Sequence, residues 1–248
     1  MKAHPLPRVA ALALVFLLVF SNSLLAQERM LSERLWVHIQ PAYRSILMHP
    51  FLTGLANGTL PEKKFNRYIL QNYLYLKNYS KALAVLATRA PVESWSRHFL
   101  KDALKCSEDA DDMIAELKKH GVSEEEIRNA TPSPVCLAYS SYEMSVVQTG
   151  TFEEGLAALL PCYIIYYRAA SDLPQGKNIN PRYREWFSYN SDAAYKKGLD
   201  ETVRIFDEAT RGLPESRIQR IQDDFCISAR FEQTFWDSSW RDLDPERY

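Results

Sequence analysis

The chain has 248 residues, of which 46% are apolar and 25% are charged, and its formal net charge at pH 7 is −1. A chain of this length can bury one sizeable core, and no stretch rich in Gly, Ser or Pro divides it, so one globular domain is expected. The nearly balanced charge does not suit a protein that binds the phosphate backbone of DNA or RNA. A nucleic-acid partner is therefore not expected.

The first 26 residues have the layout of a secretory signal peptide. Two basic residues precede an uninterrupted apolar run at 9–20, and a short polar stretch then leads to Ala26. The run is shorter than the roughly 20 residues that span a bilayer, which favours a cleaved signal over a retained membrane anchor. Cleavage is expected after Ala26, with Ser23 as a second candidate. The domain 27–248 would then be exported, into a periplasm or the medium.

The chain contains four cysteines, Cys106, Cys136, Cys162 and Cys226, and their spacing matches no zinc-binding pattern. A metal site is therefore not predicted. Export into an oxidising compartment permits disulfides, so a disulfide between two of Cys106, Cys136 and Cys226 is possible. The sequence does not say which two would pair.

Apolar residues recur with helical spacing along almost the whole mature chain. The pattern predicts helices at 31–48, with a kink at Pro41, and then at 61–89, 93–120, 124–130, 136–149, 152–172, 182–189, 192–211 and 215–238. The segment "HPFLTGLANGT" after the first helix is expected to break it. No segment alternates apolar and polar residues between turns as a strand does. The predicted fold class is therefore all-α, a multi-helix bundle.

Two of the predicted helices place polar side chains on apolar stripes. The inner stripe of the helix at 61–89 consists of Phe65, Tyr68, Asn72, Tyr75 or Leu76, Tyr79 and Leu83, and that of the last helix of Phe225, Ala229, Glu232 and Trp236. A buried amide such as Asn72 must be hydrogen-bonded, either to a protein partner or to a ligand. Apolar surroundings move the pKa of Glu232 towards values useful for proton transfer. Structural explanations stay open, because Glu232 could instead pair with Arg230 or Arg44.

The segment "GLAALLPCYIIYYRAAS" reads as the buried middle of a helix, yet it carries a thiol and several hydroxyls. Cys162 and Tyr166 lie one turn apart on the same face, and Pro161 is expected to interrupt the helix just before the thiol. Inert packing is the ordinary explanation for a single buried cysteine. Polar groups on three helices, each close to aromatic rings, nevertheless indicate one pocket that suits a heteroaromatic ring.

The chain resembles the TenA family of thiaminase II and aminopyrimidine aminohydrolases in four segments, "HPFLTGLANGTLPEKKFNRYILQNYLYL", "AYSSYEM", "GLAALLPCYIIYY" and "ARFEQTFW". The similarity covers essentially the whole mature chain. It implies a haem-oxygenase-like helical fold and a homotetramer that needs neither a metal nor an organic cofactor. The implied reaction is hydrolysis at the methylene attached to a 2-methyl-4-aminopyrimidine ring. The implied substrates are thiamine and its aminopyrimidine breakdown products, and the implied process is thiamine salvage.

The resemblance also implies roles for individual residues. Cys162 matches the catalytic cysteine, a nucleophile, and Glu232 matches the essential glutamate, an acid and base. Substrate-binding positions are matched by Tyr139 and Tyr166, which line and order the site, by the pocket aromatics Tyr75 and Tyr189, and by the ring-stacking Phe51 and Phe235. The family's "QDY" is "QNY" here, so the amide of Asn72 replaces a carboxylate that recognises the pyrimidine edge.

Other functions of the same helical pattern have less support. A haem protein would need an axial histidine on the first helix, where His38 stands, but the implied pocket is small, polar and thiol-bearing. A di-metal oxidase would need Glu-x-x-His, which does not occur in the chain. The alternative that stays open is an exported, non-catalytic pyrimidine-binding or regulatory relative, because Asn72 departs from the family pattern.

Overall fold

The computed structural model describes residues 29–177 and 179–241, and these residues form eleven α-helices and no β-strand. The helices are α1 (Leu31–His38), α2 (Gln40–Leu47), α3 (Pro50–Asn57), α4 (Glu62–Arg89), α5 (Glu93–Lys119), α6 (Glu124–Asn129), α7 (Pro134–Thr149), α8 (Phe152–Asp172), α9 (Pro181–Asn190), α10 (Ala193–Thr210) and α11 (Glu215–Arg241). The predicted all-α fold class is confirmed. The predicted signal peptide at 1–26 lies outside the described residues. Among the helices described, none is long and apolar enough to cross a bilayer.

Local sequence explains where several helices begin. The helices α6 and α8 both start with a capping box, formed by Ser123 with Glu126 and by Thr151 with Glu154. In each box the hydroxyl accepts a backbone N–H bond from the third helical residue, whose carboxylate accepts one in return. Asp192 caps α10 without such a box, because its side-chain oxygen accepts a hydrogen bond from the backbone N–H three residues further on. These side chains satisfy N–H groups that the first helical turn leaves unpaired.

Two predictions near the N-terminus hold in part. The helix expected at 31–48 with a kink at Pro41 is two helices, α1 and α2, and Pro41 stands in the first turn of α2, where its missing N–H costs nothing. The segment "HPFLTGLANGT" does end the preceding helix, but it also contains α3, which was not predicted. His49 caps α3 by accepting a hydrogen bond from the backbone N–H of Phe51 at its Nδ1, over 3.1 Å. Gly58 ends α3 with a φ of 82°, which glycine adopts without strain.

Pro161 does not interrupt its helix, contrary to the prediction. The helix α8 runs continuously through Pro161. Proline lacks the N–H of the helical hydrogen bond and disturbs the preceding turn, but tertiary contacts anchor the helix on this side. The hydroxyl of Tyr79 in α4 donates to the carbonyl of Leu159 at 2.9 Å, and every residue at 156–161 is buried. Packing therefore keeps a helix where local propensity disfavours one.

Four helices form the centre of the bundle. The helices α4, α7, α8 and α11 pack against one another in all pairwise combinations, while α5 packs extensively against α4. The stripes predicted for α4 and α11 are buried. Because the four helices meet, the polar residues on their inner faces come together in one region.

Candidate active site

A cavity of about 600 Å³ opens beside the central helices, bounded mainly by residues of α4, α5, α8, α9 and α10. Its aromatic lining consists of Phe65, Tyr68, Tyr79, Tyr163, Tyr166, Trp186, Tyr189 and Tyr195. Cys162 and Asn72 add a thiol and an amide to this lining. Flat aromatic walls with a few polar groups suit a planar heterocyclic ligand.

The structure brings most of the predicted site residues to this cavity or to the layer directly behind it. Asn72, Cys162, Tyr166 and Tyr189 line the cavity, whereas Tyr75, Tyr139, Glu232 and Phe235 pack behind the lining. Phe51 is fully buried and lies behind Tyr68, with the two ring centroids 5.2 Å apart. It does not line the cavity. The functional roles of all these residues stay predictions.

Tyr189 lies at the mouth of the cavity, where it contacts two charged residues of α5. The side chain is 43% exposed. Its hydroxyl donates to Oδ2 of Asp109 at 2.5 Å, and the Lys105 ammonium lies 5.3 Å from its ring centroid. These contacts fasten the end of α9 to α5. Tyr189 therefore belongs to the entrance and not to the deep wall.

Cys162 and Glu232 are neighbours that act on each other electrostatically, since each affects the pKa of the other. The hydroxyl of Tyr139 donates to Glu232 Oε1 at 2.9 Å. Burial raises the pKa of Glu232 to about 7, although the interactions with Tyr139 and Cys162 act to lower it. Arg44 and Arg230 are exposed, and among the described residues neither forms an ion pair with Glu232. The ion-pair explanation for Glu232 is therefore wrong.

The Cys162 thiol holds its proton until a base removes it. Burial raises the pKa of the thiol well above its ordinary value, and the carboxyls of Glu232 and Glu143 raise it further when they are ionised. The neighbouring carboxyl of Glu232 is partly ionised at neutral pH. Glu232 is therefore placed to take the thiol proton and to return it later.

All four cysteines are unpaired. Cys136 is buried and donates its S–H to the carbonyl of Gln71 at 3.5 Å, while Cys106 lines the cavity together with Cys162. The bridge that the sequence left open among Cys106, Cys136 and Cys226 is not formed.

The haem alternative lacks its axial ligand. His38 is exposed at the end of α1 and does not line the cavity. Within the part of the chain that the structure describes, no group of three or more His, Cys, Asp or Glu side chains is arranged to hold a metal ion.

Asn72 faces the cavity, and its side chain has only a weak hydrogen-bond partner among the described residues. It is 7% exposed, and within residues 29–177 and 179–241 its one side-chain hydrogen-bond partner is the sulfur of Met113, 3.8 Å from Nδ2. A thioether sulfur is a weak acceptor. The amide oxygen is therefore free to meet a ligand, which argues against a purely structural role.

A second buried carboxyl, Glu143 of α7, was not predicted from the sequence. Its Oε1 accepts a hydrogen bond from the Tyr75 hydroxyl at 2.7 Å, while Oε2 has no partner among the described residues. Burial raises the pKa of Glu143 well above its ordinary value, and the charge of Glu232 raises it further. One signal was available, because Glu143 follows Tyr139 by one helical turn and so shares its face.

Acidic side chains also surround the cavity. This feature was not predicted from the sequence. The acidic lining residues are Asp102, Asp109, Asp112, Glu116, Glu185 and Asp192, and the basic ones are Lys105 and Arg182. Lys105 pairs with Asp109, and Arg182 with Glu116. Both cations are thus neutralised, and the cavity carries an excess of negative charge that favours a cationic ligand.

The chain is similar in sequence to a known protein family and to a relative in Bacillus subtilis that is named for its activity. The model of the TENA/THI-4/PQQC family matches residues 36–242. An aminopyrimidine aminohydrolase of Bacillus subtilis is 30% identical over 205 residues, which cover 78% of this chain and 83% of that protein.

Two solved structures show the same fold. A TenA homologue protein from P. horikoshii superposes with a TM-score of 0.79 at 27% identity, over 86% of this chain and 99% of that one. A domain of unknown function with a heme oxygenase-like fold, from Shewanella denitrificans, gives a TM-score of 0.69 at 15% identity over 87% and 97% of the two chains. The predicted haem-oxygenase-like fold is therefore confirmed, and the chain belongs to the TENA/THI-4/PQQC family.

Proposed function

We propose that the protein is a thiaminase II or aminopyrimidine aminohydrolase, a hydrolase that salvages the pyrimidine of thiamine. The observation that carries the proposal is the pairing of the Cys162 thiol with Glu232, whose pKa is about 7, beside an aromatic cavity. The Bacillus subtilis relative is named for this activity. The acidic lining supports the proposal, because thiamine carries a cationic thiazolium ring and the aminomethyl fragment carries an ammonium group at neutral pH.

The proposed chemistry begins with a proton transfer from Cys162 to Glu232. The thiolate forms a bond to an electron-poor carbon of the pyrimidine ring, and a ring nitrogen takes the proton from Glu232. The bond between the methylene and the thiazolium nitrogen then breaks, and its electron pair leaves with the thiazole. Water adds to the methylene and gives a proton to Glu232, which releases it to solvent. The sulfur departs with the proton of the ring nitrogen, so the thiol is regenerated.

Incubation of the mature protein with a panel of four compounds tests this function. Chromatography should detect hydroxymethylpyrimidine from thiamine, from its aminomethylpyrimidine fragment or from the formylated fragment. Thiamine pyrophosphate should react at least about tenfold more slowly, because its phosphates meet the acidic lining. Binding of these compounds without any turnover would contradict the proposal and support the non-catalytic, pyrimidine-binding alternative.

Asn72→Asp should improve the binding or turnover of aminopyrimidines. A carboxylate accepts hydrogen bonds from the ring amino group or from a protonated ring nitrogen, and a charge-assisted bond in place of a neutral one adds about 1 to 3 kcal/mol. Ligands with an oxo group at the same edge should bind more weakly, because an amide can donate to them and a carboxylate cannot. Titration calorimetry with both ligand types measures the change.

A matched control is Asn190→Asp, which adds the same charge to the cavity lining from α9. It should produce a smaller gain for aminopyrimidines than Asn72→Asp does. A loss of aminopyrimidine binding in Asn72→Asp would mean that Asn72 does not contact the substrate.

Export and tetramer formation are further parts of the proposal. The N-terminal pattern supports export of 27–248, and the family resemblance supports a homotetramer. Leu100 and Leu104, exposed one turn apart on α5, are apolar side chains that an interface between copies would cover. N-terminal sequencing of the exported protein and light scattering of the purified protein test both points. An uncleaved N-terminus or a monomer would contradict them.

A further inference from the structure

Glu143 is a fully buried carboxyl for which the fold provides no cation. Its exposed fraction is 0%, and its Oε2 has no hydrogen-bond partner in the described part of the chain. Among residues 29–177 and 179–241, no lysine, arginine or histidine forms an ion pair with it. A buried carboxyl without a cation or a full set of hydrogen bonds destabilises a fold. Packing therefore does not account for Glu143.

The titratable groups that face Glu143 come from four helices and are all acidic or neutral. They are Tyr75 and Tyr79 of α4, Cys136 and Tyr139 of α7, Cys162 of α8 and Glu232 of α11. Burial and the neighbouring Glu232 oppose the ionisation of Glu143, so its pKa lies well above the ordinary value. Both effects favour the protonated form of Glu143.

The Tyr75 hydroxyl connects Glu143 to the nucleophile. Its oxygen lies 2.7 Å from Glu143 Oε1. Tyr75 also neighbours Cys162, where it acts to lower the pKa of the thiol as a hydrogen-bond donor does. The hydroxyl has one proton and can donate it to one of these groups at a time. An ionised carboxylate can only accept, so it would hold that proton. A protonated carboxyl can instead donate to the Tyr75 oxygen.

We propose that Glu143 is a positioning residue that acts through Tyr75. Its protonated carboxyl donates to the Tyr75 oxygen, and the Tyr75 proton is thereby directed to the Cys162 sulfur when the thiol becomes a thiolate. The thiol proton itself passes to Glu232, as in the proposed function on which this inference rests. Two hydrogen bonds in series then stabilise the thiolate that attacks the substrate.

The rate at which iodoacetamide alkylates Cys162, measured from about pH 6 to 10, tests the proposal because only the thiolate reacts. Peptide mass spectrometry distinguishes Cys162 from the three other cysteines. The measurement needs no substrate. It compares the wild type with Tyr75→Phe, Glu143→Gln and the double variant. Glu154→Gln is the control, because Glu154 is also buried but caps the start of α8.

Tyr75→Phe should slow the alkylation of Cys162 near neutral pH by about tenfold, the effect of losing one hydrogen bond to a charged group. Glu143→Gln should stay within about threefold of the wild type near neutral pH, because the amide still donates to Tyr75. As the pH rises it should become faster than the wild type, since the amide cannot ionise. In the Tyr75→Phe background, Glu143→Gln should have no effect, and Glu154→Gln should match the wild type.

Two results would overturn the proposal. At the high end of the pH range, an equal acceleration by Glu143→Gln with and without the Tyr75 hydroxyl would mean that Glu143 acts by charge alone. A Tyr75→Phe protein with the alkylation rate of the wild type would refute it even if the Glu143 variants do not fold. If alkylation follows the expected pattern but no pyrimidine is hydrolysed, the proposed function fails and the role of Glu143 in stabilising the thiolate stands.

Discussion

Cys162→Ser should lower turnover by roughly 10³-fold or more while the helical circular dichroism stays unchanged. A serine hydroxyl is far less acidic than a thiol, and a carboxylate with a pKa of about 7, that of Glu232, cannot deprotonate it. Serine is close to cysteine in size, and position 162 adjoins the cavity, so the packing of α8 should survive. Steady-state kinetics with the best substrate of the panel measures the loss.

The chain offers a matched control for this variant. Cys106 also lines the cavity and is unpaired, but its hydrogen-bond environment does not include Glu232. Cys106→Ser should keep turnover within about threefold of the wild type, as substitutions outside the reacting groups usually do. Full activity in Cys162→Ser would refute nucleophilic catalysis by Cys162.

Glu232→Gln should reduce turnover by about 10² to 10⁴-fold and should weaken ligand binding much less. The amide keeps the shape of the carboxyl and can still accept from Tyr139, but it cannot take the proton of the Cys162 thiol. Kinetics combined with titration calorimetry separates the two effects. Turnover near the wild-type level would make Glu232 a structural residue.

The pH dependence of kcat/KM provides a second measurement on the same variant. Burial raises the pKa of Glu232 to about 7, so below this pH the carboxyl is protonated and cannot accept the thiol proton. Wild-type activity should therefore fall as the pH decreases through about 7. The residual activity of Glu232→Gln should lack this acidic limb. If the acidic limb persists unchanged in Glu232→Gln, the titrating group is not Glu232.

The region of the site could be predicted because its residues interrupt regular apolar stripes. Asn72 and Glu232 stand at helical spacing between aromatic residues, and both are buried at the centre of the bundle. Side chains three or four residues apart share a helix face, so the sequence reports which face is buried before any tertiary contact is known. The raised pKa of Glu232 follows from the same local pattern and is confirmed.

Contacts between helices could not be predicted in the same way. Glu143 shares a helix face with Tyr139, but its hydrogen bond to Tyr75 depends on the packing of α7 against α4. The acidic residues of the lining come from α5, from α9 and from the start of α10. In the sequence, each of them looks like an ordinary charged residue on the solvated face of a helix. Phe51, assigned to the site by resemblance, stands on α3, a helix that was not predicted, and packs behind Tyr68.

The sequence by itself determined the all-α class, most helix bounds and the inward faces of α4 and α11, since periodicity and capping act within a single segment. Tertiary structure alone decided that α8 continues through Pro161 and that Glu143 meets Tyr75. It also decided that an acidic mouth leads to Cys162. These features arise from side chains far apart in the chain, and their energies depend on desolvation and on partners that packing supplies. A helical pattern specifies which face is buried, but not which residue lies opposite.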